Sequence, residues 1–190
     1  MTPFVETITN LLAFGVVLAD IGIFIFLVFL VLSPKSDFAK AMFKFIARHG
    51  VLFGFLVSFG GVCVSLFYSD IAGFAPCDLC WWQRVFIYPQ AVLFLVALLK
   101  KKRGGEESSV FQYSAALSVI GVLIAAYHYY GAAFNPSFLS CAASAVSCAK
   151  TYFTSFGYVT IPVMSLTGFL LLLAIVISVK ATHGSSKKNS

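Results

Sequence analysis

An all-α bundle embedded in a bilayer is the fold class this sequence predicts, and three observations predict it. Of 190 residues, 60% are hydrophobic and only 11% charged, with a mean hydropathy of +0.95, which is too apolar for a water-soluble domain of this size. Five apolar stretches, Leu11–Leu32, Val51–Tyr68, Trp81–Leu99, Val110–Tyr130 and Thr160–Val179, meet or approach the roughly 20 residues a helix needs to cross the hydrocarbon core. The basic residues gather in alternate connecting segments, as positive-inside sorting requires.

The first span carries Asp20 near its middle. An ionised carboxylate at that depth is costly unless it faces protein or water, so Asp20 is expected to face neighbouring helices as a hydrogen-bonded or protonated structural group. No Lys or Arg precedes this span and its apolar run is longer than that of a signal peptide, so it reads as a retained helix, ended by Ser33-Pro34-Lys35. The second span contains Gly54, Gly60 and Gly61, small residues that let helices approach closely in lipid. Its Cys63 reads as a packing residue, since apolar burial makes a thiol inert. Trp81 and Trp82 open the third span as belt residues, and Pro89 withholds an amide from the Val85 carbonyl. The fourth span ends in Tyr127-His128-Tyr129-Tyr130, and Pro162 suits the first turn of the fifth.

The net charge of +6 comes from thirteen Lys and Arg against seven Asp and Glu. Lys35, Lys40, Lys44 and Arg48 lie between spans one and two, Lys100 to Arg103 between three and four, and Lys180, Lys187 and Lys188 after five. These segments are expected in the cytoplasm, with the amino terminus outside and the carboxyl terminus inside. Topology accounts for the charge, and the basic clusters lack the interleaved aromatics of a nucleic-acid surface. The domain reading that follows is an extra helix with its linker at 1–48, a four-helix unit at 49–180, and a disordered Ser- and Lys-rich tail at 181–190.

The chemistry centres on Pro76-Cys77-Asp78-Leu79-Cys80-Trp81-Trp82-Gln83-Arg84. With a helix beginning near Cys80, Cys80 and Arg84 share a face one turn apart and the orphan first-turn amides point at the sulfur. Both favour thiolate over thiol at Cys80. A Cys-x-x-Cys alone reads equally as a structural disulfide or half a zinc site. A second pair, Cys141 and Cys148, follows span four; two crossings separate it from the first, so both pairs lie on one membrane face, the side where disulfides persist. Four sulfurs so placed can pass electrons by thiol-disulfide exchange. No haem, flavin or dinucleotide motif supplies an acceptor. A lipid-soluble quinone remains, with Cys80, Arg84 and His128 at the depth of its head group.

These residues resemble the bacterial DsbB family, and within it the Gram-positive type called BdbC. The first motif is Pro76 to Arg84 with Tyr88-Pro89 downstream; the second runs from Tyr127-His128 through Asn135-Pro136-Ser137-Phe138 to Cys141, over roughly Gly50 to Val179. The resemblance implies a four-helix bundle in the bacterial cytoplasmic membrane, here with one extra amino-terminal transmembrane helix. It implies an enzyme, a quinone-dependent protein-dithiol oxidoreductase that reoxidises a DsbA-like thioredoxin-fold thiol oxidase and passes electrons to ubiquinone or menaquinone. Cys80 then corresponds to the quinone-interacting cysteine, Cys77 to its partner, Arg84 and His128 to the quinone-site residues, Cys141 to the cysteine attacked by the client and Cys148 to the fourth cysteine, able to exchange with Cys77. Three features depart from the pattern: the second pair is closely spaced, Gln83 stands where an acidic residue is common, and the first helix is additional. The competing readings are a vitamin K epoxide reductase-like thiol enzyme and a non-enzymatic metal-binding or transport protein using the four outer cysteines.

Overall fold

The computed structural model describes residues 2–32, 36–101, 108–135, 139 and 147–187. Six α-helices account for nearly all of them: α1 Pro3–Leu32, α2 Asp37–Arg48, α3 Gly50–Leu66, α4 Asp78–Lys101, α5 Ser108–Phe134 and α6 Ile161–Lys187. A π-helical turn, Phe67–Ile71, extends α3. Five segments, Pro3–Val31, Gly50–Ile71, Asp78–Lys100, Ser109–Phe134 and Ile161–Thr182, are long and apolar enough to cross a membrane. The chain is therefore an all-α, multi-pass membrane protein, as its composition predicts. The last helix extends through Lys187, well into the segment expected to be a disordered tail.

Helices α3 to α6 form a ring in which each packs on the next and α6 closes on α3. Its core is aromatic and branched aliphatic, with Phe94, Phe169 and Leu172 fully buried and Val51, Phe111 and Val176 around them. The glycines show why the helices come so close. A methyl group on Gly54 would lie 2.5 Å from the ring of Phe94, and one on Gly121 would collide with the ring of Phe169. Each aromatic ring thus fills the notch left by a missing side chain on the facing helix. The bundle also carries polar glue: the fully buried Gln90 donates from Nε2 to the Phe86 carbonyl at 2.9 Å and accepts from Ser114 and Ser118 at 2.7 and 3.2 Å, tying α4 to α5.

Helix α2 was hidden within the segment expected to be a linker. Ser36 caps it, its side chain accepting from the Ala39 amide at 3.2 Å. Ala39, Met42, Phe43 and Ile46 recur at helical spacing, while Lys40, Lys44 and Arg48 fall between them. Its apolar face packs on α1, with Phe26 and Phe43 edge to face at 5.4 Å, and on α6. At 12 residues this amphipathic helix is too short to cross a bilayer. At its other end α1 meets the turn after α3 through Phe4 and Phe67. Asp20, in the middle of α1, accepts hydrogen bonds from Thr167 Oγ1 at 2.7 Å and Tyr158 OH at 2.9 Å, so the carboxylate does face protein.

Candidate redox site

Helix α4 begins at Asp78 rather than near Cys80, and this shift relocates the charge. Cys77 becomes the residue immediately before the helix, and its carbonyl accepts the first helical bond from the Trp81 amide at 3.1 Å. A side chain in that position receives the unpaired amides of the first turn and the positive end of the helix dipole. The Cys77 sulfur also lies 3.4 Å from that of Cys80 and 3.9 Å from His128 Nε2. Together these pull the Cys77 thiol down to about 4: the hydrogen bond with Cys80 contributes most, burial opposes it, and the His128 ring and the Cys80 amide assist. Cys77 is thus the thiolate of the pair. Arg84, placed by the sequence beside Cys80, donates from Nη2 to the Ser65 carbonyl at 3.3 Å and rests on the ring of Trp81 at 4.9 Å. Tyr88 ties α4 to the same point, its hydroxyl donating to Ser65 Oγ at 3.2 Å.

His128 comes from the far end of α5 and is only 3% exposed. Its Nε2 lies 3.0 Å from the Cys148 carbonyl, which can only accept, so Nε2 carries hydrogen. The neutral ring then presents a lone pair at Nδ1, and Gln83 Nε2 donates to it at 3.1 Å. Gln83, itself 5% exposed, sets the tautomer. A carboxylate at this position would accept instead of donate. Cys77, Cys80 and His128 present ligand atoms within 4.8 Å of one another, a spacing that a thiophilic ion would accept. Here, however, the ring nitrogen nearest the sulfurs is already engaged as a donor to the Cys148 carbonyl, which favours thiol chemistry over coordination.

One sulfur of the second pair, that of Cys148, reaches the same place. Cys148 is disulfide-bonded, while Cys63, Cys77 and Cys80 are free thiols; Cys141 lies outside the described residues. Cys148 packs with Cys77 and Leu139 in one buried cluster that also touches Cys80, so the two loops meet at one end of the bundle. The approach is held by aromatic stacking that hydropathy alone did not single out. Phe74 stacks on Tyr152 at 4.4 Å and on Tyr68 at 5.7 Å, and the Tyr152 hydroxyl donates to the Ala75 carbonyl at 2.9 Å. Burial first, then the electrostatic influence of the neighbouring Cys80 and Cys77, raise the Tyr152 phenol above its usual value, so it remains a hydrogen-bond donor.

Below the sulfurs opens a largely apolar cavity of about 810 Å³ lined by residues of α1, α3, α4, α5 and α6, with Cys77, Cys80, Arg84 and His128 at its polar end. Residues 47–179 match the family model described as disulfide bond formation protein DsbB. The chain belongs to the DsbB family. Curated relatives agree: an SPbeta prophage-derived disulfide bond formation protein B of Bacillus subtilis is 39% identical over 71% of this chain and 88% of that protein. A probable disulfide formation protein C 1 of Bacillus anthracis is 37% identical over 60% and 80%, and a probable disulfide formation protein of Oceanobacillus iheyensis 30% identical over 73% and 93%. No solved structure matches the chain. As a DsbB-family protein it is a disulfide-forming oxidoreductase of the membrane, and the matched region contains both loops and all four sulfurs but excludes α1 and most of α2.

Proposed function

We propose that this chain is a membrane thiol:quinone oxidoreductase that reoxidises a DsbA-like thioredoxin-fold dithiol oxidase outside the cytoplasm. The observation that carries the reading is the buried cluster of Cys77 and Cys148 with Cys80 packed against it, with His128 hydrogen-bonded between the loops, at the polar end of a large apolar cavity. Net exchange converts the client's two thiols into a disulfide and the Cys141–Cys148 disulfide into two thiols, so two electrons and two protons enter this chain. Cys141 takes the client's thiolate; Cys148 then attacks Cys77, its neighbour in the cluster, in the oxidised Cys77–Cys80 pair and releases Cys80, and Cys141 attacks Cys148, restoring their disulfide and releasing Cys77. The electron pair reaches Cys77/Cys80, whose disulfide is reformed when both sulfurs give up those electrons and protons.

Ubiquinone or menaquinone fits as the acceptor. Pockets of about 300–1,000 Å³ hold drug-sized ligands, and this one joins an apolar slot to a cationic, hydrogen-bonding end. When bound, the quinone supplies the site that accepts two electrons and two protons. On the protein side, Arg84 offers a fixed positive charge for a carbonyl or anionic oxygen, His128 a donor, and Cys80 the sulfur adjoining the cavity. The alternating positive charge supports an orientation with the two loops on the outer face, the amino terminus outside and the carboxyl terminus in the cytoplasm.

The test is oxidation of a reduced thioredoxin-fold client by the purified chain in detergent. Turnover is expected only with quinone added, with Cys80→Ser inactive and Arg84→Gln requiring more quinone for the same rate. Client oxidation that ignores quinone, or a purified chain that retains zinc on resistant thiols, sinks the proposal. Labelling of intact cells at Lys150 but not at Lys44 checks the orientation.

A further inference from the structure

Helix α1 lies outside the matched family region, yet it forms part of the cavity. Its packing is uneven. Val5, Thr9 and Ala13 are buried near one end and Phe26 near the other, and no residue of α1 between Ala13 and Phe26 is fully buried. Over that middle stretch α1 packs less closely, meeting α6 through Asp20 and Thr167, and Gly15 and Ala19, one turn apart on one face, line the cavity together with Gly60 of α3 and Gly168 of α6.

The glycines fall into two kinds. Gly54 and Gly121 have their missing side chains replaced by aromatic rings, whereas a methyl group built on Gly15, Gly60 or Gly168 meets nothing within 4 Å. Three glycine-bearing faces therefore leave a gap instead of closing on one another. Asp20 holds α1 at this distance and rotation through Thr167 and Tyr158. The Ser155–Val159 turn, with Phe156 and Gly157 at φ of 52° and 80°, delivers the Tyr158 hydroxyl. Burial and the adjoining Asp20 raise that phenol above its usual value, so it stays protonated and donating.

We propose that α1 is the outer wall of a slot for the polyprenyl tail of the quinone, and that this wall gives the protein a preference for long-tailed over short-tailed quinones. The proposal rests on the quinone reading above. The occupant follows from continuity: the apolar gap under α1 belongs to the same cavity that ends at Cys80, Arg84 and His128, so a ligand with its polar ring there extends a hydrocarbon chain past Gly15. Without α1 this groove between α3 and α6 would open to lipid and favour no particular tail.

The experiment compares Gly15→Leu with Gly22→Leu in the full chain. Gly22 is likewise exposed and unobstructed within 4 Å, but unlike Gly15 it does not line the cavity. Relative KM is measured for an eight-unit and a one-unit quinone, and thermal stabilisation by an eight-unit polyprenyl alcohol, which lacks the redox ring, is measured alongside. Leucine at 15 displaces roughly two methylenes of tail, so the long-over-short preference is expected to fall about tenfold, equivalent to about 1.4 kcal/mol, and stabilisation by the alcohol to weaken. Gly22→Leu leaves both readings at the native value. Gly60→Leu, filling the gap from the opposite wall, repeats the effect should Gly15→Leu fold poorly.

Equal behaviour of the Gly15 and Gly22 variants overturns the proposal, as does an equal loss with both quinones. Stabilisation by diacyl phospholipid but not by the alcohol also overturns it, making the gap a lipid site. A chain that reduces no quinone yet is stabilised by the alcohol in a Gly15-dependent way retains the slot and refutes the quinone reading alone.

Discussion

Replacing Cys80 with alanine tests why Cys77 is anionic. The Cys77 thiol lies at about 4, with the hydrogen bond to Cys80 the largest cause, burial opposing, and the His128 ring and the Cys80 amide as further support. Alanine removes the sulfur and keeps the amide. An ordinary thiol titrates near 8.5, so the environment favours the thiolate, with the neighbouring Cys80 its largest cause. The sign is unambiguous: Cys77 is thiolate above about pH 4 and becomes thiol below it. In Cys80→Ala the transition is expected to move up by at least two units, while Cys80→Ser, which keeps a hydroxyl donor, moves it less. The assay is peptide-resolved alkylation by a small neutral reagent from pH 3 to pH 9, in a Cys63→Ala background. Rates at one pH mislead, because a thiolate of low pKa is also a weaker nucleophile, with a Brønsted slope of about 0.4–0.5; a four-unit drop costs roughly 60-fold in intrinsic reactivity. The midpoint decides. A native midpoint near 8–9, or one still below 5 in Cys80→Ala, refutes the assignment of the charge to Cys77 through Cys80.

Three further outcomes are expected. Gln83→Leu leaves the buried Nδ1 of His128 without its donor and lowers stability by about 1–3 kcal/mol, read as an earlier thermal transition in the same detergent. Gly121→Ala drives a methyl group into the fully buried Phe169 ring and costs about 1–3 kcal/mol, whereas Gly15→Ala changes stability by less than about 0.5 kcal/mol; similar losses at both sites contradict the distinction between filled and open notches. Asp20→Leu strips the acceptor from Thr167 and Tyr158, so hydrogen exchange at the paired Ser155 and Val159 amides accelerates, while Asp20→Asn, which retains one acceptor, changes it less.

The spans were legible because the bilayer imposes one strong rule: a crossing helix must be about 20 residues long and apolar. Helix α2 escaped because it follows a different rule, periodicity rather than mean hydropathy, although Ser36 and the Ala39, Met42, Phe43 and Ile46 spacing were present to be read. At the site, the Cys-x-x-Cys and His128 stand out by residue type, and the fold gathers them. Ser65 and Tyr152 did not stand out, and Gln83 did so only as a departure from the family pattern, since their importance lies in what faces them across different helices and loops. The charged sulfur shows how sensitive such inference is to an element boundary. Starting α4 at Asp78 instead of Cys80 transfers the dipole from the second cysteine to the first, with no change of sequence.

The Gln90 contact lies well away from the sulfurs, yet it bears on their alignment. Gln90 is ten residues along α4 from Cys80, and Ser118, its partner on α5, is ten residues from His128. At 1.5 Å per residue both distances are about 15 Å. The antiparallel pair resembles a ladder with one rung deep in the bilayer and another at its surface, joined by rails of equal length. Sliding one rail by a single turn breaks the lower rung and carries the imidazole about 5.4 Å off the level of the Cys77 and Cys80 sulfurs. Three uncharged side chains in the middle of the membrane thereby calibrate the height at which a histidine meets a cysteine.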